Sequence, residues 1–284
     1  MDVFNVNMDG SLTGALPVTL MDSDVSLNRA SYVVISNFGT TDFDPALAHS
    51  VIVTYRAATI NNIALLAQTQ GLAGINLDFE GLYATDRDNY TAFVMDLAEA
   101  LHAEGSTLIL SVPAKSADDP NDSWSWPYDY AALAPYADIF QVMTYDEYVP
   151  GDGPGPVDGS DWMKACLTYA ASQISTSKIL LGLPAYGYDY DTTAGTGSAV
   201  AWKDIPALLS STGATAQWDS ATNSPYFDYV DSSGDTHEVW YENTQSIQLK
   251  SSYAVSLSLK GVSMWALGLE DMNFWTAVKA GLGQ

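Results

Sequence analysis

Apolar residues occur along the chain in short runs that alternate with longer stretches of helical periodicity. The short runs, typical of buried strands, are residues 2–6, 31–38, 73–80, 107–113, 139–145, 178–186 and 261–268. Helical patterns are found between them at residues 58–71, 87–105 and 160–174. The first two end at Gly71 and Gly105, and the third opens on Ser160, a good helix N-cap. This alternation predicts a parallel sheet with right-handed crossovers.

The strand and helix alternation favours an α/β fold, a TIM-type (β/α)₈ barrel. Seven strands follow the pattern where the barrel needs eight, and the first begins almost at Met1, so we expect the first barrel strand to be missing. We also expect the strands at 2–6 and 261–268 to pair directly and close the ring; another segment, another chain or an upstream strand are the alternatives. An open doubly wound sheet is the other fold, but the glycine-rich phosphate fingerprint of its dinucleotide-binding members is absent.

Residues 187–260 interrupt the alternation. Within them, two strand-like runs at 226–242 flank a Ser-Ser-Gly-Asp turn. We interpret residues 187–260 as a small α+β insertion within a single catalytic domain, residues 1–284.

One predicted buried strand carries polar residues at every second position. Asn76, Asp78 and Glu80 alternate with three apolar residues. Because residues two apart share one face of a strand, the polar set points into the barrel and the apolar set points to the helices. Barrel interiors are mostly apolar, so three polar side chains there are costly without a function. Glu80 comes last, at the carboxyl end, where barrel active sites lie.

The two carboxylates on this face predict acid chemistry. Asp78 and Glu80 cannot both ionise cheaply when buried side by side, so one should keep a proton near neutral pH. A protonated carboxyl group at the mouth of a barrel is suited to general acid catalysis.

Composition excludes several other classes of function. The formal charge is −24, with only 10 Lys plus Arg, which argues against a nucleic-acid partner. No run is apolar and long enough to cross a membrane, and we expect a monomer. Cys166 is the single cysteine, and the three histidines are far apart, so we expect neither a metal nor a cofactor. The N-terminus lacks a signal-peptide pattern, so either the protein stays in the cell or a leader has been removed.

Four motifs in the same order resemble the chitinase-like glycoside hydrolases of family 18. The run AGINLDFE is similar to their fourth-strand signature Asp-Gly-x-Asp-x-Asp-x-Glu, with Ala73 and Asn76 replacing the first two aspartates. QVMTYDEY, ILLGLPAYGYDY and GVSMWALG resemble the sixth-, seventh- and eighth-strand motifs. YDEYVPGDGPGPVDGSDW, HEVWYEN and LGLEDMNFW are closer to one branch, the bacterial spore cortex-lytic and spore-germination N-acetylglucosaminidases.

The resemblance implies a mechanism in which the substrate supplies the nucleophile. Such enzymes cleave β-1,4 bonds next to an N-acetylated sugar with retention, using the acetamido oxygen. Glu80 would be the acid and then the base, while Asp78 would hold the acetamido N–H. Tyr145 would steady the acetamido group, and Asn76 would hydrogen-bond Asp78 from below.

The resemblance also implies a set of substrate-binding residues: Trp265, Asp146, Asn37, Tyr186, Glu147, Trp240, Tyr241 and Trp126. Trp265 would form the floor of the sugar pocket. Asp146 and Glu147 have a second interpretation, as caps of the next segment. The aromatic residues in the long connections have a second interpretation as core packing.

The substrate stays open between peptidoglycan or spore cortex, which the branch favours, and chitin oligomers. The acidic surface is a mild argument against anionic wall polymers. A weakly catalytic sugar-binding protein is the non-enzyme alternative, although such proteins usually lack the terminal glutamate and this chain keeps Glu80. The resemblance favours an extracellular, cell-wall or spore location.

Overall fold

The computed structural model describes residues 3–16, 21 and 26–284. The chain divides into two compact units. The first comprises Met1–Gln141 and Ser172–Lys178, and the second comprises Val142–Ala171 and Ile179–Gln284. Asp2, which belongs to the first predicted strand, lies outside the described residues.

The first unit contains a sheet that is parallel except for the short edge strand at Leu12–Thr13. Its strands are β1 (Val3–Val6), β2 (Leu12–Thr13), β3 (Tyr32–Ser36), β4 (Gly74–Asp78) and β5 (Thr107–Pro113), and β6 (Ile139–Met143) begins there. β1 pairs in parallel with β3, β3 with β4, and β4 with β5. The parallel strands β1, β3, β4 and β5 are neighbours in chain order, which argues against the doubly wound alternative.

Four α-helices of the described residues belong to this unit, and the two longest lie where the periodicity predicts them. They are α1 (Pro45–His49), α2 (Arg56–Gln70), α3 (Arg87–Ala103) and the short α4 (Tyr130–Leu133). Gly71 ends α2 in the left-handed conformation, with φ of 61°, because glycine takes this conformation without steric cost. In the described residues 3–16, 21 and 26–284, no single helix is long and apolar enough to span a membrane. The segments Pro45–Thr54 and Arg56–Gln70 reach that length and apolar composition only when they are taken together, and the chain bends by 94° between them.

Packing in the first unit fixes which face of β4 each residue occupies. Ile75, Leu77 and Phe79 are fully buried, and Phe79 stacks on Phe93 of α3 at 5.9 Å between ring centroids. This is the helix-facing side that the alternation predicts. Gly74 is required at the start of β4, since a Cβ atom there would lie 2.1 Å from the Thr107 carbonyl oxygen of β5.

The edge of β1 corrects the expected ring closure. β2 pairs with β1 in an antiparallel hairpin, so β1 has β3 on one side and β2 on the other, and the described strands do not form a closed ring. The predicted pairing between residues near Phe4 and Met264 is therefore wrong. The reason is local, because Asp9-Gly10 is a strong hairpin signal and Gly10 has φ of 80°. The absence of the first barrel strand stays a prediction.

The second unit combines parallel strands with helices. β7 (Ile179–Pro184) pairs in parallel with β13 (Gly261–Trp265), and the helices are α5 (Ser160–Gln173), α6 (Ile205–Thr212), α7 (Thr244–Ser256) and α8 (Met272–Gly281). Ser160, which the sequence predicts as the N-cap, is the first residue inside α5. Gly182 leaves room for the Tyr145 ring, because a Cβ atom there would lie 2.9 Å from Cε1 of that ring.

A five-stranded antiparallel sheet occupies much of residues 187–260. It consists of β10 (Gln217–Asp219), β11 (Ser224–Val230), β12 (Thr236–Trp240), β8 (Tyr186–Asp191) and β9 (Thr196–Ala201), in that order. β11 and β12 form the hairpin that the Ser-Ser-Gly-Asp turn predicts. That this segment is an insertion in a barrel stays an interpretation.

Three ionisable side chains are completely buried within the second unit. Nζ of Lys250 on α7 lies 2.5 Å from Oδ1 of Asp158 and 2.8 Å from Oε1 of Glu242. It also donates to the Ser224 hydroxyl at 3.3 Å. Burial and the neighbouring Glu242 raise the pKa of Asp158 well above its usual range. One lysine thus holds together the loop before α5, the end of β12 and α7.

Lys250→Met tests this anchor. The substitution leaves two buried carboxyl groups without a counter-charge, and we expect the free energy of unfolding at pH 7 to fall by about 3–5 kcal/mol in urea denaturation. The matched control is Lys164→Met, whose side chain is 47% exposed, and which should lose less than about 1 kcal/mol. Equal losses in the two variants would contradict the anchor.

Candidate active site

The first unit presents the predicted polar face on β4. Asn76 and Asp78 are 9% and 8% exposed, and Asp78 is aligned with Ser36 of β3. Glu80 follows the last residue of β4 by two positions and is half-buried. The strand therefore carries one carboxylate inside the protein and ends just before a second carboxylate that solvent reaches.

Asp78 has an unusual environment. Its Oδ1 atom is buried and has no hydrogen-bond partner among the described residues. Burial raises the pKa of Asp78 from its ordinary 3.8 to about 6, and a hydrogen bond from Ser111 lowers it in part. The sequence predicted a raised pKa through repulsion between like charges, whereas the structure attributes it first to desolvation.

Ser111 connects the two polar residues of β4. It is the polar residue in the middle of β5, it is 2% exposed, and its hydroxyl donates to Oδ1 of Asn76 at 3.1 Å. The same side chain interacts with Asp78. The expected contact of Asn76 with Asp78 is thus replaced by a shared partner, because Ser111 on the neighbouring strand lies within reach of both. A serine inside the apolar run LILSVP was the available signal.

Asn37 holds the backbone of Glu80. Its Oδ1 accepts from Glu80 N and its Nδ2 donates to Glu80 O, both at 2.8 Å. Nδ2 also donates to Asp44 O at 3.1 Å, and the residue is fully buried. The prediction that Asn37 binds substrate is corrected, because its amide group is occupied by main-chain atoms.

Two buried tyrosines lie behind β4. Tyr128 donates its hydroxyl to Phe79 O at 2.7 Å and packs edge-on against Tyr90 at 5.4 Å between centroids. The Tyr90 hydroxyl is fully buried and has no hydrogen-bond partner in the described part of the chain. Burial first, and then the charges of Asp78 and Glu80, raise the pKa of Tyr90. Sequence reasoning missed both residues, which are ordinary core residues by pattern.

Exposed aromatic rings surround the turn after Glu80. Gly81 has φ of 63°, and a Cβ atom there would lie 3.6 Å from both Phe43 Cβ and Trp124 Cζ3. Phe38, edge-on to Phe43 at 5.3 Å, is 40% exposed, and Trp124 is 48% exposed. These rings could stack on sugars. Sequence reasoning missed Phe38 and Phe43.

Trp126 is a packing residue. The Arg87 guanidinium lies over its ring, 3.9 Å from the centroid, and Arg87 also donates to its carbonyl oxygen. Arg87 is in turn paired with Asp118 and Asp129 at 2.6 and 2.7 Å. Because this network covers the ring, Trp126 is not proposed to bind substrate.

In the second unit, Asp146 lies in a cluster of tyrosines. It accepts from the hydroxyls of Tyr186 at 2.6 Å and Tyr188 at 2.8 Å, with its backbone at φ of 62°. Tyr145 packs edge-on against Tyr186 at 6.4 Å between centroids. Burial of its carboxyl group raises the pKa of Asp146, and the hydrogen bonds from the two hydroxyls oppose this rise, while another part of the residue is exposed to solvent. Within this unit the structure thus brings three of the predicted residues, Tyr145, Asp146 and Tyr186, together.

The remaining predicted residues of the second unit divide into one exposed and three packed side chains. Trp265, at the end of β13, is 38% exposed. Glu147 accepts from Gly159 N at 2.7 Å, just before α5, which favours its alternative interpretation as a cap. Trp240 stacks on Tyr226 at 4.9 Å, and Tyr241 packs in the core of the antiparallel sheet. Both contacts are those of core residues, so neither Trp240 nor Tyr241 is proposed to bind substrate.

Among the described ranges, no three His, Cys, Asp or Glu side chains are grouped so that they could hold a metal ion. The side chains on β4 and beside it supply carboxyl, amide and hydroxyl groups. A buried carboxyl group with a raised pKa beside a second, accessible one is suited to proton transfer.

The family assignment agrees with this chemistry. Residues 28–270 match the family described as glycosyl hydrolases family 18. The chain belongs to this family. It is a glycoside hydrolase of the chitinase or N-acetylglucosaminidase type. The recognition made from the four motifs is confirmed, and so is the TIM-barrel type of fold.

Relatives of this family 18 hydrolase include both bacterial glycosylases and chitinases. The uncharacterized glycosylase YvbX of Bacillus subtilis is 37% identical over 99% of this chain and 83% of its own length. The cortical fragment-lytic enzyme of B. subtilis is 28% identical, over 96% of this chain but 64% of its own length. The crystal structure of a chitinase from Chromobacterium violaceum matches with 40% identity and a TM-score of 0.96, covering 100% of this chain and 90% of that one.

The raised pKa of Asp78 predicts a dependence of stability on pH. The folded chain binds the proton of the Asp78 carboxyl group more tightly than the unfolded chain does. The stability that this protonation contributes is therefore fully present below about pH 4 and is lost as pH rises through about 6. Relative to Asp78→Asn, the wild type should lose on the order of 2–3 kcal/mol between pH 4 and pH 7.5 in urea titrations. Asp161→Asn, with a side chain 89% exposed, should show almost no such difference. A pH-independent difference for Asp78→Asn would contradict the assignment.

Proposed function

We propose that this hydrolase cleaves β-1,4 bonds next to N-acetylglucosamine with retention, using the substrate acetamido group as nucleophile. The observation that carries the proposal is the buried Asp78, with one unpartnered oxygen, two positions before the half-buried Glu80. Substrate-assisted glycosidases are the exception to the rule of two catalytic carboxylates on opposite sides of the bond. Two carboxylates on the same face of a single strand suit that exception.

Glu80 acts first as an acid. It gives its proton to the leaving glycosidic oxygen while the acetamido oxygen attacks the anomeric carbon, and the bond to the leaving sugar breaks. The Glu80 carboxylate then takes a proton from water, which attacks the same carbon and reopens the ring formed by the acetamido group. The configuration is retained because the carbon is inverted twice.

Asp78 orients the acetamido group. Its unpartnered Oδ1 is an acceptor without a donor, and the acetamido N–H supplies one. Accepting this bond directs the acetamido oxygen at the anomeric carbon and places negative charge near the cation that develops. Ser111 holds Asp78 and Asn76 from the next strand, so that Asn76 has a supporting role.

Residues of the second unit are proposed to bind the sugar. Tyr145 contributes its hydroxyl to sugar binding, as the family resemblance implies, and Trp265 offers a 38% exposed ring on which a sugar face stacks. Asp146, held by Tyr186 and Tyr188, accepts sugar hydroxyls with its remaining oxygen. The exposed rings of Phe38 and Trp124 offer further stacking surfaces in the first unit.

The substrate proposed first is the glycan of peptidoglycan or spore cortex, as the cortical fragment-lytic relative suggests. Chitin oligomers are the second candidate. Two observations favour them: the 40% identity to a chitinase over the whole chain, and a net charge of −24, which is repelled by anionic wall polymers. Extracellular, cell-wall or spore location and a monomeric state stay predictions.

Glu80→Gln tests the acid. The variant should fold and lose on the order of 10² to 10⁴ in kcat on chitin oligomers, because a positioned general acid contributes about that much. Glu99→Gln, the same change on the exposed face of α3, serves as the matched control and should keep wild-type turnover. Near-normal turnover by Glu80→Gln on an unactivated oligomer would remove Glu80 from the mechanism.

The anomeric form of the first product tests substrate assistance. Proton NMR during the first minutes of hydrolysis of chitin oligomers should show the β-anomer, and glucose polymers of the same linkage should not be cleaved. Mass spectrometry of products from chitin oligomers and from purified peptidoglycan, side by side, separates the two substrate candidates. An initial α-anomer, or cleavage of the glucose polymer at a comparable rate, would exclude acetamido participation.

A further inference from the structure

The chain around Glu80 is fixed by side chains instead of by strand pairing. β3 and β4 pair up to Ser36 and Asp78. Glu80 lies beyond that last pair, and the chain then turns at Gly81 with φ of 63°. A residue between a strand end and a left-handed turn lacks the ladder bonds that hold a strand in place. Glu80 has to be positioned by other groups.

Asn37 substitutes for the missing ladder. Its side-chain amide makes a donor and acceptor pair with the N and O of Glu80, both at 2.8 Å, as a neighbouring strand would. The second Nδ2 hydrogen goes to Asp44 O at 3.1 Å, and Asp44 N donates to Asn37 O at 3.1 Å. Three of the four hydrogen-bonding positions of the amide are thus satisfied by main-chain atoms.

Tyr128 also holds the peptide group that precedes the Glu80 Cα atom. Its hydroxyl donates to Phe79 O at 2.7 Å, and the whole residue is buried. Phe79 itself is fixed by stacking on Phe93. The two peptide groups that flank the Glu80 Cα atom are therefore held by Asn37 and Tyr128, and the bonds to them come from two different connections, after β3 and after β5.

We infer that Asn37 and Tyr128 are positioning residues that act through Glu80, an inference that rests on the proposed role of Glu80 as the acid. Neither group is available to substrate, since both are fully buried and their polar atoms are bonded to main chain. They set the direction in which the Glu80 carboxyl group leaves the backbone. A general acid displaced by about 1 Å loses on the order of 10²-fold in rate without a matching loss of binding.

Asn37→Asp is the sharpest test because it keeps size and the acceptor while it removes the donor to Glu80 O. We expect kcat on chitin oligomers to fall about 10²-fold and KM to change less than threefold. The loss should be much smaller on a chitobioside with a 4-nitrophenyl leaving group, which needs little protonation. Asn62→Asp is the control, since its Nδ2 donates to a single remote carbonyl, Gly10 O, at 2.9 Å. It should keep the wild-type kcat.

A double-mutant cycle with Glu80→Gln separates positioning from general stability. Asn37→Asp should cost nothing further in the Glu80→Gln background, because the group it positions is gone. An equal loss in both backgrounds, or a wild-type kcat in Asn37→Asp, would overturn the inference. If Asn37→Asp does not fold, Tyr128→Phe, which removes one hydroxyl, is measured in the same cycle. It should lower kcat about 10-fold, and additivity or an unchanged kcat would overturn the inference.

The failure of the proposed function would look different. In that case Glu80→Gln alone would keep near wild-type turnover, whatever Asn37→Asp and Tyr128→Phe did. A low kcat in Glu80→Gln with a normal kcat in both positioning variants would leave the role of Glu80 intact and remove only the positioning inference.

Discussion

The burial of one carboxylate, Asp78, is the constraint on which the rest of the candidate site depends. A charge inside a sheet is costly unless it is paired, and this one keeps an oxygen without a partner and a pKa raised to about 6. The protein compensates only in part, through Ser111 on the next strand. Such an arrangement is destabilising by itself, which is why it points to a ligand that supplies the missing donor.

Rigidity around Asp78 comes from the sheet, and rigidity around Glu80 comes from side chains. β4 is paired on both sides, and Gly74 brings it close to β5 at its first residue. Past Asp78 the ladder stops, so that the Glu80 side chain can reach solvent. Asn37 and Tyr128 then hold the main chain that pairing no longer holds. Accessibility and fixed geometry are obtained together in this way.

In the second unit, carboxylates are paired with other groups, namely tyrosine hydroxyls and a lysine. Asp146 has its backbone in the left-handed region and its carboxylate among tyrosine rings, where two hydroxyls compensate for the loss of water. Deeper in the unit, Lys250 neutralises Asp158 and Glu242 where water is excluded. Several buried polar atoms of the described residues lack a hydrogen-bond partner, among them the Tyr90 hydroxyl and Oδ2 of Asp158. The oxygen of Asp78 differs from these two in lying on the polar face of β4, two residues before Glu80, where a ligand has a functional interpretation.

The sequence alone determined the strands and helices with strong periodicity and the in-and-out alternation of β4, and it was sufficient to propose Asp78 and Glu80 as the chemical pair. Periodicity is a local property, so it survives without knowledge of the partners. Only the tertiary structure decided that Ser111 is shared by Asn76 and Asp78. It likewise decided that Asn37 binds main chain instead of substrate. These outcomes depend on which side chains from distant segments come within 3 Å of one another, and that distance is set by packing, which no single stretch of sequence contains.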